Sequence, residues 1–440
     1  MSFGSRIARL PALVAVLLFW LGTAHLAPVA ATGSQVEVLT LDGPLTPAQV
    51  VYLQRGLGQA QSDGAEVVIL QINTPGGGID LMQKMVALIR GSQVPVVVFV
   101  APRGALAGSA GTVITLAGQA VAMAPETVIG AASPVDSQGQ NLSSTEETKV
   151  KEALKAEVRT LMVGRPPAAI QLAQDAIDTA KAATAAEAHA AGMVDFLAND
   201  LPDLLRQLDG YSLTVNGQTR ILHTTGLPVV TVQMNVLESV LDLLTNPNVV
   251  FILLAVGAQA LLIELSSPGR WVAGVVGAVS LALAFYGLGV LPVNWFGLIF
   301  IGLAFILFIM EVHATTHGAL AATGTASLVI GALVLFNSPG SPVFFRVSVP
   351  LVIGTSLVIA LGFVVLLTFA LRAQRRPAAV GVERLIGREG EMRTAQSIQV
   401  AGELWSAAPA DGETVPLEPG QRVIVAAIKG LKLLVRPKKP

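Results

Sequence analysis

The sequence predicts three structural classes in one chain: an α/β domain, a bundle of about five membrane helices, and a small all-β barrel. Three observations predict this. The apolar runs Glu66–Ile72 and Pro95–Val100 alternate with helix-patterned segments, as buried parallel strands do. Apolar blocks then fill most of the stretch from Val249 to Leu371. After them come short β-patterned runs punctuated by Gly390, Gly402, Asp411-Gly412, Gly420 and Gly430.

The chain has 440 residues, 52% of them hydrophobic and 13% charged, with a formal charge of −1. Near-neutrality gives no electrostatic reason to invoke nucleic acid. The absence of cysteine excludes disulfides and thiolate catalysis. At the start, Arg6 and Arg9 precede an apolar run, Leu10–Leu26, and small residues up to Ala31. That pattern predicts a signal peptide, residues 1–31, cleaved after Ala31; the alternative is an uncleaved anchor helix. Either places the next domain, residues 32–227, outside the cytoplasm.

Within it, Val36–Leu41 reads as a strand and Pro47–Gln59 as a helix capped by Thr46. Glu66–Ile72 enters the Pro75 turn, and Asp80–Arg90 repeats apolar residues at helical spacing. The polar run Leu142–Met162 predicts a helix stopped by Pro166 and Pro167. Thr184 opens another, which Gly192 ends before a short strand. Asp200–Leu208 follows as a helix, and Tyr211–Val215 as a closing strand with Asn216-Gly217 as its hairpin turn.

Residues 228–247 form a linker in which Asn235–Leu244 is amphipathic and suited to the bilayer surface. Apolar blocks at Val249–Leu265, Trp271–Val290, Trp295–Met310, Leu320–Phe336 and Val347–Leu371 predict about five spans across residues 248–372. The basic run Arg372–Arg376 places the C-terminal side in the cytoplasm. Residues 379–437 predict a barrel of about five strands, with Trp405 as its lone candidate for base stacking.

The stretch from Ile72 to Val135 carries the candidate chemistry. A Pro-Gly-Gly turn lets backbone amides approach a ligand, and the stretch Ala105–Thr112 presents one serine, Ser109, among small residues. Ser109 needs a base. His25 lies in the leader, His313 and His317 between apolar blocks, His223 in a polar loop, and His189 in an Ala-rich helix. A Ser-His-Asp triad is therefore poorly supplied. Buried lysine can serve as a base, because burial disfavours its charged form. The helix after Leu142 offers Lys149, Lys151 and Lys155, and periodicity does not choose among them.

The whole chain resembles the long form of the NfeD family, membrane-bound serine proteases. Their N-terminal domain is related to the Clp-peptidase and crotonase-like folds. The resemblance rests on NTPGG (Asn73–Gly77), VAPRGALAGSAGT (Val100–Thr112), AMAPETVIGAASPV (Ala122–Val135) and EAHAAGMVD (Glu187–Asp195). It continues in NPNV (Asn246–Val249), IELSSPG (Ile263–Gly269), Glu311, IGREGEMRT (Ile386–Thr394), GELWSA (Gly402–Ala407) and AIKGLKLLV (Ala427–Val435).

It implies an α/β Clp-peptidase/crotonase-like domain, a five-helix membrane domain and an oligonucleotide-binding-type barrel. Position by position, Ser109 corresponds to the nucleophile and Lys149 to the general base. The amides of Gly77 and Ala110 correspond to the oxyanion hole, with Gly76 and Gly78 binding substrate. Gly108 and Lys151 depart from the usual family residues. No metal or other cofactor is implied. The implied activity is a Ser-Lys endopeptidase cleaving apolar segments of a stomatin-like membrane protein, the protease domain forming a homo-oligomer. The alternatives are a non-catalytic scaffold for such a partner and an acyl-CoA hydratase of related fold.

Overall fold

A computed structural model describes residues 34–135, 142–266, 271–314, 316, 318–337, 345–374, 382–410 and 416–438. The expected signal peptide and its cleavage site lie outside the described residues.

In the N-terminal domain, β1 (Val36–Asp42), α1 (Pro47–Asp63), β2 (Val67–Asn73), α2 (Ile79–Gly91) and β3 (Val96–Val100) alternate. Then come β4 (Leu106–Gly108), α3 (Ala110–Leu116), β5 (Ala120–Met123) and β6 (Val128–Gly130). They are followed by α4 (Ser144–Leu161), α5 (Pro167–Asp178), β7 (Ala182–Thr184), α6 (Ala185–Ala190), β8 (Phe196–Leu197) and α7 (Leu201–Leu208). The hairpin β9 (Ser212–Val215) and β10 (Gln218–Ile221) precedes β11 (Val229–Thr231) and α8 (Val236–Leu243).

The main sheet is parallel, in the order β11-β1-β2-β3-β5-β8. Its strands are apolar on both sides because both faces are covered. Val68, Leu70 and Ile72 pack under α1 to α5, while Val67 and Ile69 pack with Phe99 against α7 and the hairpin. A smaller sheet, β4-β6-β7, lies beside it.

Two expectations are amended. Pro166 and Pro167 do more than follow a helix: Pro167 is the first residue of α5, where a missing N–H costs nothing. The Tyr211–Val215 segment does not close the main sheet. It pairs only with β10, through Asn216 and Gly217 at φ 49° and 78°, the conformation a two-residue hairpin turn needs. The edges are instead β11, against β1, and β8, against β5.

The helix α8 turns its polar side inward. Glu238 is buried and accepts hydrogen bonds from Arg55 Nε (2.8 Å) and Nη2 (2.7 Å), and Asp242 Oδ1 accepts from Thr46 Oγ1 (2.7 Å). Val236, Leu237, Val240 and Leu243 are exposed on its other side.

The apolar region contains α9 (Pro247–Ser266), α10 (Val272–Val290), α11 (Phe296–His313), α12 (Ala319–Phe336) and α13 (Val349–Gln374). Among the described residues three segments are long and apolar enough to cross a bilayer: Pro247–Leu265, Val272–Val290 and Ala319–Phe336. Two further apolar stretches, Phe296–Glu311 and Val349–Val365, are shorter among the described residues and belong to helices of 18 and 26 residues, so against the expected five spans three full-length ones are counted among the described residues. The first four helices form two hairpins with the same device at each bend. Glu264 accepts from the amides of Trp271 and Gly274, and Glu311 from those of Gly318 and Ala321, so each carboxylate caps the following helix.

The C-terminal strands β12 (Glu389–Thr394), β13 (Ser397–Val400), β14 (Glu403–Pro409), β15 (Arg422–Lys429) and β16 (Lys432–Pro437) close into a barrel. Met392, Ile398, Val423, Val425, Leu433 and Val435 fill it, so its interior is a packed core.

Candidate active site

Two segments meet at the site, one leaving β2 and one leaving β4, and hydrogen bonds join them. The Thr74 amide donates to Leu106 O (2.6 Å), and the Gly108 amide donates to Thr74 O (2.9 Å). Asn73 Oδ1 accepts from the Leu106 amide (3.0 Å), while its Nδ2 donates to Asp42 Oδ1 (2.9 Å). Thr74 Oγ1 accepts from the Gly76 amide (3.1 Å) and shapes the glycine turn. The first two residues of the NTPGG stretch thus position the rest.

Ser109 sits between the last residue of β4 and the first of α3, at φ 52° and ψ −121°. A left-handed φ costs a non-glycine residue about 1–3 kcal/mol and persists only where surroundings impose it. Here the Ser109 amide donates to Gly130 O (2.9 Å). The Thr112 hydroxyl lies 2.8 Å from Ala107 O and 2.9 Å from Gly130 O, and accepts from the Gly130 amide at 3.0 Å. A strained strand-to-helix turn of this kind exposes a hydroxyl at its apex.

Gly77, Ser109 and Ala110 line one small recess of about 20 Å³, with Met82, Val113 and Leu154 among its walls. Ala110 opens α3, so its N–H has no acceptor in a preceding turn. Neither it nor the Gly77 amide donates to another group among the described residues. Gly77, Gly78 and Ser109 also line a larger cleft of about 610 Å³. Gly76 abuts Ser109 at φ +112°.

Lys149 is not among the residues lining either cavity. It is exposed, and it has neither ion pair nor hydrogen bond among the described residues. Its helix reaches the recess through Leu154. The other two lysines of α4 are engaged. Lys151 pairs with Glu147 (2.7 Å) and donates to Asp178 O (2.8 Å). Lys155 pairs with Glu152 (2.5 Å) and Asp178 (3.1 Å); hydrogen bonds to these carboxylates hold its ammonium above the ordinary lysine range. His189 and His223 are exposed, and no histidine lines the cleft among the described residues. No group of three or more His, Asp or Glu there could hold a metal.

Sequence reading missed Thr112, Gly130 and Leu154. The first two act through backbone geometry, and Leu154 is an ordinary buried helix residue. None leaves a local sequence signal.

A strained serine beside unengaged amides, on a chain with membrane-length apolar helices, makes a membrane protein with a candidate site of the nucleophile type. Residues 35–215 match the NfeD1b N-terminal domain and residues 248–369 the NfeD integral membrane domain. Residues 382–437 match the NfeD-like C-terminal, partner-binding domain. The chain is 31% identical over 430 residues to the membrane-bound protease PH1510 of Pyrococcus horikoshii, covering 91% of this chain and 96% of that one. It is 30% identical over 264 residues to the membrane protein NfeD1b of Bacillus subtilis, covering 57% and 56%. A solved structure of the 1510-N membrane protease specific for a stomatin homolog from Pyrococcus horikoshii shares 28% identity. It covers 49% of this chain and 100% of that one, with a TM-score of 0.42. The chain belongs to the NfeD family, as its motifs implied.

Proposed function

We propose that this chain is a membrane-bound serine endopeptidase in which Ser109 attacks a peptide carbonyl and Lys149 accepts its proton. The observation that carries this reading is Ser109 at a left-handed turn, sharing an apolar recess with the unengaged amides of Gly77 and Ala110. Relationship to the archaeal membrane-bound protease supports it. Lys149 is the one lysine of α4 with no partner among the described residues.

The chemistry follows in four movements. An extended peptide laid along Gly76–Gly78 shields the amine from water, and a shielded amine favours its neutral form. Ser109 Oγ bonds to the carbonyl carbon while its proton passes to Lys149 Nζ, and the two amides hold the oxyanion. The carbon–nitrogen bond breaks as that proton passes to the leaving amine. Water then bonds to the acyl carbon while giving a proton to the same lysine, and the C–Oγ bond breaks as that proton passes to Ser109 Oγ, which frees the acid and restores the neutral amine. Each oxyanion donor contributes about 3–4 kcal/mol. Walls such as Met82, Val113 and Leu154 suit an apolar side chain next to the scissile bond.

The substrate or partner is a stomatin-like membrane protein, as the resemblance implies and as the archaeal relative's specificity suggests. The α/β domain lies outside the cytoplasm and self-associates; the barrel, on the cytoplasmic side, is the contact module. A second reading, a scaffold without catalysis, is favoured by that partner-binding match and by the exposure of Lys149. The full-length chain in detergent, given an apolar peptide, separates them. The protease cleaves it, and Ser109→Ala and Lys149→Ala do not; cleavage that survives Ser109→Ala removes the reading.

A further inference from the structure

The larger cleft has two walls from different parts of the chain. One is the α/β domain, with Ser109, Gly77 and Gly78. The other comes from the apolar region: Gly289, Leu291 and Pro292 at the end of α10, Thr245 before α9, and Phe345 before α13. This second wall is braced. Leu291 is buried, and its amide donates to Gly287 O (3.0 Å). Asn337 donates to Val347 O (3.0 Å) and accepts from the Val347 amide (2.8 Å), and the Ser348 amide donates to Asn248 Oδ1 (2.8 Å). These bonds tie the start of α9, the end of α12 and the start of α13 into one platform. Helix α8, which runs into this platform just before α9, is held to α1 of the α/β domain by Arg55–Glu238 and to its N-cap by Thr46–Asp242.

We infer that this platform is the second half of the substrate-binding site, taking an extended, apolar polypeptide segment where it leaves the bilayer. The inference rests on the protease reading and adds a specificity wall to it. A chain reaching Ser109 through the 610 Å³ cleft passes between the glycine turn and Gly289–Pro292. Those walls are largely apolar: Leu45, Ile79, Leu81 and Val135 on one side, Val290, Leu291 and Phe345 on the other. An apolar segment beginning at the membrane surface matches both their chemistry and their position.

Gly289 makes this testable without disturbing the fold, because a Cβ there meets nothing within 4 Å. Gly302, in the middle of α11, is equally open and lines no part of the cleft, so it serves as the control. The full-length chain in lipid nanodiscs is assayed with a fluorogenic apolar decapeptide and, separately, with a small fluorophosphonate. Gly289→Trp is expected to raise KM for the decapeptide about tenfold, whereas Gly302→Trp leaves it unchanged. Phe345→Asp, on a half-buried residue, is expected to raise KM in the same direction. An unchanged KM in both cleft variants overturns the inference while leaving Ser109-dependent cleavage intact. Loss of fluorophosphonate labelling in wild type overturns the protease reading instead.

Discussion

A Cβ added to Gly76 would lie 2.6 Å from Cβ and 3.1 Å from Oγ of Ser109. The glycine turn and the serine turn are thus packed to a tolerance that admits no side chain. With φ +112°, Gly76 also holds a backbone conformation that L-residues rarely adopt. Gly76→Ala must therefore push one turn away from the other. A displacement near 1 Å at a reacting atom costs about 100-fold in rate. Peptide turnover is expected to fall by that order while circular dichroism stays that of the wild type.

Ser109 stores backbone strain that folding does not need and that the proposed mechanism would use. Relieving a left-handed φ is worth about 1–3 kcal/mol, and the greater unfolded-state freedom of glycine returns about 0.5–1 kcal/mol of it. Ser109→Gly is expected to stabilise the α/β domain by about 1 kcal/mol while abolishing cleavage. Thermal unfolding of the two proteins, side by side, checks both halves.

The three lysines of α4 separate by what holds them. Removing a general base costs about 10²–10⁴-fold in rate. Lys149→Ala is expected to lose activity on that scale without lowering the melting temperature, since Lys149 has no partner among the described residues to lose. Lys151→Ala and Lys155→Ala break pairs with Glu147 and Asp178, so they are expected to lower the melting temperature slightly and keep turnover. Equal activity in all three variants would assign the base elsewhere.

The Arg55–Glu238 pair gives a pH signature. The hydrogen bond from Arg55 holds the Glu238 carboxyl below its usual range, despite the opposing effect of burial. A depressed carboxylate stabilises the fold above its unfolded-state pKa, and that stability is lost as pH falls through the folded-state value. Acid is thus expected to loosen α8 from α1 first, read as hydrogen exchange at residues 236–243. Glu238→Gln is expected to weaken that acid dependence. Glu238→Ala is expected to cost about 2 kcal/mol, less than a fully buried pair, because Arg55 keeps part of its guanidinium in water.

Glu37 has the opposite sign. It lies buried in β1, accepts one hydrogen bond from Gln35 Nε2 (3.0 Å), and leaves Oε2 without a partner among the described residues. Burial raises its carboxyl above the usual range. A raised carboxyl favours the fold when protonated, so stability declines as pH rises from the unfolded-state to the folded-state value. Glu37→Gln is expected to raise the melting temperature at neutral pH, with less gain at low pH.

Much of this was legible from residue order. The run VVILQIN is apolar at every position but Gln71 and Asn73 because it is covered on both faces, and a run of that kind signals a parallel strand directly. Thr46, Thr184, Asp200 and Asn235 cap helices through their own side chains, which is local chemistry. What stayed hidden depends on contacts distant in sequence. β11 becomes a strand by pairing with β1, far away in the chain. The hold of Thr112 on Gly130 spans two segments, and a choice among three lysines requires knowing where Asp178 lies.

The central claim, that the Ser109 hydroxyl is an activated nucleophile, is tested most directly by intact-protein mass spectrometry of the full-length chain in detergent after diisopropyl fluorophosphate. A single adduct located at Ser109, absent in Ser109→Ala and formed far more slowly in Lys149→Ala, is the result this account predicts. An unmodified Ser109 in a preparation that still cleaves the apolar peptide would contradict it.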